Sequence, residues 1–181
     1  NEHDLQPGDI ESILTLVAAP AVPLVCEPEE AKRHPDSSYL AQFSLQYAMA
    51  ASLTRRRFGL GELDEASYTD ADLVSLAEKV SYEIDPNSGY PKTRSGEVIV
   101  RLRDGRVLRR REEIRPSEPA PDEAIIAKFM GNLGPVVGQG RAEELCERIL
   151  NVEEEKDARG LVTELGKQVD VRRAHIVAAR L

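Results

Sequence analysis

Tryptophan is absent from these 181 residues, and aromatic side chains make up only 4% of them. A core must therefore come from Leu, Val, Ile and Ala, which a chain of this length can supply. Cysteine is scarce too. Cys26 and Cys146 stand far apart with no metal-ligand spacing, and they read as two reduced thiols of a cytoplasmic protein. The only histidines, His3, His34 and His175, are scattered over the two termini and a proline-flanked loop, so no metal centre is expected. No apolar run approaches the roughly 18–20 residues of a membrane span, and no signal peptide is visible. Positive charge is outweighed: 24 Lys and Arg against 32 Asp and Glu leave a net charge of −8. That excludes a general nucleic-acid binder, whose affinity rests on neutralising phosphates.

What the chain does have is a segment, residues 41–53, that reads as a helix apolar almost all the way round. Leu40, Phe43, Tyr47, Ala50 and Ala51 follow the spacing of one helical face, and Leu45, Met49 and Leu53 make a second. Such a helix must be buried, yet it carries Gln42, Ser44, Gln46 and the Tyr47 hydroxyl. Buried polar groups without partners cost roughly 1–3 kcal/mol each. Either the helix lines a polar cavity, or these groups tie neighbouring elements together.

Around this helix the pattern is α+β. Residues 9–18 are rich in branched side chains and read as a strand. Residues 19–38 hold four prolines and no periodicity, which predicts a loop, with Asp36, Ser37 and Ser38 as N-cap candidates at its end. A helix is expected from Asp70 to about Ala77, then a strand over 79–85 in which Val80, Tyr82 and Ile84 alternate with polar residues. Val98, Val100 and Leu102 alternate as well, Asp104-Gly105 suits a two-residue type I′ turn, and Val107-Leu108 returns as a hairpin. We expect an antiparallel sheet of three to five strands over residues 1–115, with the buried helix and the 70–78 helix packed on one side. Three prolines in 115–121 mark a boundary, and a helical segment is expected over 116–166. Its first helix is predicted to break at Gly131 and Gly134-Pro135, a second covers 141–150, and Gly160 interrupts a weaker third. Residues 167–181 read as an extra tail.

Two charged features stand out. Lys32, Arg33 and His34 form a small basic loop able to contact a carboxylate. The hairpin gathers Arg101, Arg103, Arg106, Arg109, Arg110 and Arg111, a local inversion of charge on an acidic protein. Arginine pairs with carboxylates in bidentate fashion, but arginine on an edge hairpin also guards against aggregation.

The segment Pro7-Gly8-Asp9-Ile10-Glu11-Ser12-Ile13, then Cys26, then the run from Ala41 to Ala50 with its Phe43-Ser44 and Tyr47, recur in an order that resembles the MmgE/PrpD family. The segment from Asp70 to Val80, the hairpin from Val98 to Gly105 and the Ala127-Lys128-Phe129 helix continue the resemblance over about residues 5–166. The family includes 2-methylcitrate dehydratase, cis-aconitate decarboxylase and iminodisuccinate epimerase. The resemblance covers its C-terminal portion and implies a lid-like α+β domain followed by helices that return to a helical domain.

By that resemblance the parent activity is a cofactor-free lyase or isomerase, acting on a carboxylate-rich acid such as 2-methylcitrate in propionate metabolism. Its chemistry would be removal of a proton α to a carboxylate with loss of a leaving group. The family's main aspartate, histidine and lysine groups come from the helical domain and a segment just before the lid's first strand, and have no matching positions here. No catalytic residue is therefore assigned, and these residues alone are expected to be inactive. Gln42, Ser44 and Tyr47 are placed at the cleft as substrate-binding residues, with lysine standing at the Gln42 position in many relatives. The implied partners are a small carboxylic acid and either a second copy of the chain or a helical domain, because Leu133, Leu145, Ile149, Leu150, Leu161 and Leu165 would otherwise lack cover. The alternative is a free-standing, non-catalytic interaction or small-acid-binding module derived from the lid domain.

Overall fold

The computed structural model describes residues 4–155 and 157–167, so His3, His175 and the expected tail from 168 onward lie outside the described residues. The chain divides between Glu118 and Pro119 into two compact units.

The first unit is built on a four-stranded sheet in the order β2-β1-β3-β4. Its strands are β1 (Ile10–Val17), β2 (Val80–Ile84), β3 (Arg94–Leu102) and β4 (Val107–Ile114). β1, β3 and β4 pair antiparallel as expected, with Ile13 opposite Val100 and Val98 opposite Arg110. β2 departs from that expectation, lying parallel to β1 with Ile13 opposite Val80. The reason is the connection. Residues 18–79 form a long crossover, which a parallel pair requires and an antiparallel hairpin does not.

Alternation along the strands sorts the side chains. Ile10, Ile13, Val80, Val100 and Leu102 are buried in one cluster with Ala50, Leu76 and Ala77. Ala50 comes from α4 (Leu45–Arg55), and Leu76 and Ala77 from α6 (Ala71–Ala77), which starts where the Asp70 carboxylate accepts from the Asp72 N–H. A smaller cluster, Ala41, Tyr47, Ala51 and Leu73, lies against Leu63 and Tyr68.

Three local expectations are corrected. First, the 41–53 helix is two helices, α3 (Ser38–Gln42) and α4, parted at Phe43 and Ser44. Ser44 adopts extended backbone, and its Oγ accepts from the Tyr47 N–H at 2.9 Å, so it starts a new helix instead of continuing the old one. Second, the proline-rich 19–38 stretch contains α1 (Val22–Val25) and α2 (Glu29–Arg33). Proline suits a helical first turn, and α2 carries Glu29 and Glu30 at its start and Lys32 and Arg33 at its end, as the helix dipole favours. Third, the hairpin turn is not type I′, which needs positive φ at both central residues. Only Gly105 has it, at +88°, while its N–H donates to the Leu102 carbonyl and the Leu102 N–H to that of Arg106. This is a three-residue loop closed by a glycine bulge.

The second unit holds α7 (Asp122–Val137), α8 (Gln139–Leu150) and α9 (Ala158–Leu165). α7 runs through Gly131 and Pro135, against the expected break. Pro135 stands in the last turn, where it removes only one N–H, and Gly138 at φ +88° ends the helix instead. Ala142, Leu145 and Leu161 are buried within this unit, so Leu145 and Leu161 have cover that the sequence did not foretell. Arg148 donates to Glu155 at 2.6 Å and Arg141 to the Glu164 carbonyl at 2.6 Å, fixing α9 and the turn before it on α8. Among the described residues no helix is long and apolar enough to cross a membrane.

Candidate functional site

The junction between α3 and α4 gathers more buried polar groups than any other part of the first unit. Lys32, from the last turn of α2, is only 4% exposed. Its ammonium donates to the Leu24 carbonyl at 2.7 Å and the Phe43 carbonyl at 2.6 Å. A single cation thus caps the end of α1 and the break after α3 together, meeting carbonyls that their helices leave unpaired. The Ser44 hydroxyl donates to the Lys32 carbonyl in return. Burial lowers the Lys32 pKa from its ordinary value.

The next turn of α4 continues this pattern. Gln46 is fully buried and donates to the Cys26 carbonyl at 3.2 Å, while its Oε1 has no hydrogen-bond partner. Tyr47 is fully buried too, and its hydroxyl donates to the Glu62 carbonyl. The Glu62 carboxylate accepts from Arg57 at 2.7 Å and from the Gly59 N–H at 2.9 Å. Burial pushes the Tyr47 hydroxyl up to about 12 and the Cys26 thiol up to about 11, the latter helped by Glu27. Both groups therefore hold their protons at neutral pH, and Cys26 is no thiolate nucleophile.

The three sequence-derived candidates fall in different surroundings. Ser44 and Tyr47 are buried with their hydroxyls engaged on backbone carbonyls. Gln42 is exposed at the end of α3. Close by, the Tyr39 and Phe43 rings stand 5.0 Å apart, with Tyr39 68% exposed. The basic loop does not survive as a unit. Lys32 is buried, Arg33 pairs with Glu29, and His34 lies against Glu78. Gln46 is buried, as its place in the apolar run implies, whereas sequence reasoning missed Lys32 and Glu62 as interior groups, and nothing in their spacing marks them.

Elsewhere in this unit an open hollow of about 550 Å³ is lined by Pro23, Glu27, Pro28, Glu29 and Tyr82. The Tyr82 hydroxyl donates to Glu27 at 2.9 Å. The hairpin arginines are mostly answered by local acids, Arg106 by Asp104, Arg109 by Glu97 and Arg110 by Glu112. Among the described residues no three His, Cys, Asp or Glu side chains gather into a metal-binding group.

The most buried of the hairpin's ion pairs is Asp85 with Arg111. The Asp85 carboxylate has no exposed side-chain surface, accepts from Arg111 at 2.8 Å and from the Asn87 N–H at 2.9 Å, and so ties the loop after β2 to β4. The Arg111 guanidinium holds that carboxyl below its ordinary value, with the Asn87 N–H adding to the effect. A depressed folded-state pKa stabilises the fold above the unfolded value, roughly 3.9, and the contribution is lost as pH falls through the lower folded value. Arg111→Met should therefore lower stability clearly at about pH 7 and much less at about pH 2.5, as urea titrations at the two pH values would read.

With the fold and these sites in place, comparison with known families is decisive at one level. The profile of the MmgE/PrpD C-terminal domain matches residues 1–154. The chain belongs to the MmgE/PrpD family, of which it carries the C-terminal domain. No individual curated protein gives a significant match.

Proposed function

We propose that this chain is the lid portion of a MmgE/PrpD lyase that dehydrates a carboxylate-rich acid such as 2-methylcitrate by removing a proton α to a carboxylate. The family match over residues 1–154 carries this reading. Exposed Gln42 contacts the substrate, while Ser44 and Tyr47 contribute to the site by holding α3 and α4 where Gln42 is presented. The acid–base groups come from a helical partner, which docks on apolar side chains left uncovered in the second unit, among them Ile125, Leu150, Val162 and Leu165. A second copy of the chain is the other candidate for that surface. The protein works in the cytoplasm, as its two free thiols and the substrate class suggest.

Residues 1–181 alone should show no turnover of 2-methylcitrate, since positioned proton-transfer groups contribute about 10²–10⁴-fold each. Adding the helical domain of a family lyase should restore turnover, and Gln42→Ala should then raise KM more than it lowers kcat. Turnover by residues 1–181 alone would refute the assignment of the chemistry to the partner. Failure of the helical domain to bind, with no small acid perturbing the amide spectrum, would favour a non-catalytic interaction module. The engagement of both the Ser44 and Tyr47 hydroxyls inside the fold is the observation on that second side.

A further inference from the structure

β4 is an edge strand, paired on one side with β3. Alternate residues of such a strand turn their N–H and C=O groups away from the sheet, ready to pair with another strand. Edge strands usually avoid this by carrying charge of one sign or a proline. β4 does something else. Its sequence from 108 to 114 is Leu-Arg-Arg-Arg-Glu-Glu-Ile, which is complementary to itself about Arg111 when read in the opposite direction.

We propose that β4 pairs antiparallel with β4 of a second copy about a twofold axis at Arg111, joining two four-stranded sheets into one of eight strands. In that register Arg110 faces Glu112 of the second copy, Arg109 faces its Glu113, and Leu108 faces its Ile114. Each pairing occurs twice, because a twofold interface uses the same surface on both copies. Opposed residues of an antiparallel pair lie on the same face of the sheet, within reach of one another, and opposite charges there are favourable.

Most of the groups involved are open to solvent, with Leu108 half-buried. The side chains of Arg109, Arg110 and Glu112 are 67%, 69% and 65% exposed, and Ile114 is 66% exposed. Arg110 already reaches Glu112 two residues along its own strand, so pairing extends an existing Arg–Glu network instead of creating one. The one like-charge meeting is Arg111 with itself at the axis. Each Arg111 arrives neutralised by its own Asp85 at 2.8 Å and Glu97 at 3.6 Å, which removes the main objection to this register. Pro116, two residues past the strand, stops the ladder from running on. β2, the other edge, is Val-Ser-Tyr-Glu-Ile and has no such complementarity. This inference does not rest on the lyase reading.

Sedimentation velocity on the full 181-residue chain tests it, with two charge-reversed variants, R109E/R110E and E112R/E113R. The unaltered chain should dimerise, and more weakly as salt rises. Each variant alone sets like charges against each other four times and should raise the dissociation constant about tenfold or more. Mixed in equal amounts, the two variants set the introduced carboxylates of one, at positions 109 and 110, against the introduced guanidinium groups of the other, at positions 113 and 112. They should then form a heterodimer. That rescue also shows that both are folded. A wild-type chain that stays monomeric at about 100 µM overturns the proposal, as does loss of association that mixing fails to restore. A dimer that survives both reversals also overturns it and moves the interface to the helices of the second unit, leaving the proposed function untouched.

Discussion

Tyr47→Ala should be among the most damaging single changes in the first unit, costing about 3–5 kcal/mol of stability, the range for truncating a buried aromatic. Tyr47 has no exposed surface, packs among Ala41, Ala51 and Leu73, and meets Phe58 edge-on at 6.1 Å. Removing it empties that cluster and also leaves the Glu62 carbonyl without its donor. Tyr47→Phe keeps the ring and loses only the donor, so it should cost about 1–3 kcal/mol, the penalty of one buried group left unsatisfied. Phe43 is the contrast. The apolar pattern places it on the same helical face, but it is only half-buried at the end of α3, so Phe43→Ala should cost less than Tyr47→Ala. Urea denaturation of the three variants checks the order. If Tyr47→Ala proved nearly neutral, α4 would not occupy the core position described.

Leu145→Ala should have an effect of similar size in the second unit, about 2–5 kcal/mol, and should unfold α7 to α9 selectively. Among the described residues of that unit few side chains are fully buried, chiefly Ala142, Leu145 and Leu161, so its stability depends heavily on one leucine. Leu150→Ala, by contrast, removes a side chain that is 56% exposed and should change stability little. It should instead weaken docking if the exposed apolar side chains are a contact surface. Amide hydrogen exchange would separate the two effects, with Leu145→Ala accelerating exchange in residues 122–165 while leaving the sheet protected. Uniform acceleration through both units would show that they do not unfold independently.

The elements that were legible in the sequence are those with a local cause. β1 is marked by its branched side chains, and β2 and the β3–β4 hairpin by alternation, since a strand puts successive side chains on opposite faces whatever lies around it. α6 is marked by Asp70, whose carboxylate needs only the N–H groups next to it. The family resemblance is of the same kind, because order and spacing are properties of the chain alone. Even the proposed pairing of β4 is written in seven consecutive residues, although its place at the edge of the sheet is not.

Tertiary structure decided the rest. An apolar run such as 41–53 specifies burial, but not that Ser44 would stop one helix and start another at a break whose polar groups Lys32 meets from α2. The same run raised two readings of Ser44 and Tyr47, and their hydroxyls are met by the carbonyls of Lys32 and Glu62, contributed by other elements. Lys32 sits in a sequence that reads as a surface loop, yet it is one of the most buried charged residues. Arg111 stands out in sequence only as one of the hairpin arginines, and only the approach of a turn to β4 makes it the ion-pair partner of Asp85. The parallel placement of β2 likewise follows from where the crossover brings the chain back, not from β2 itself. Periodicity is a statement about neighbours along the chain, so it reveals which side chains must be buried. Which group satisfies each buried donor or acceptor depends on neighbours in space, and only the folded chain supplies them.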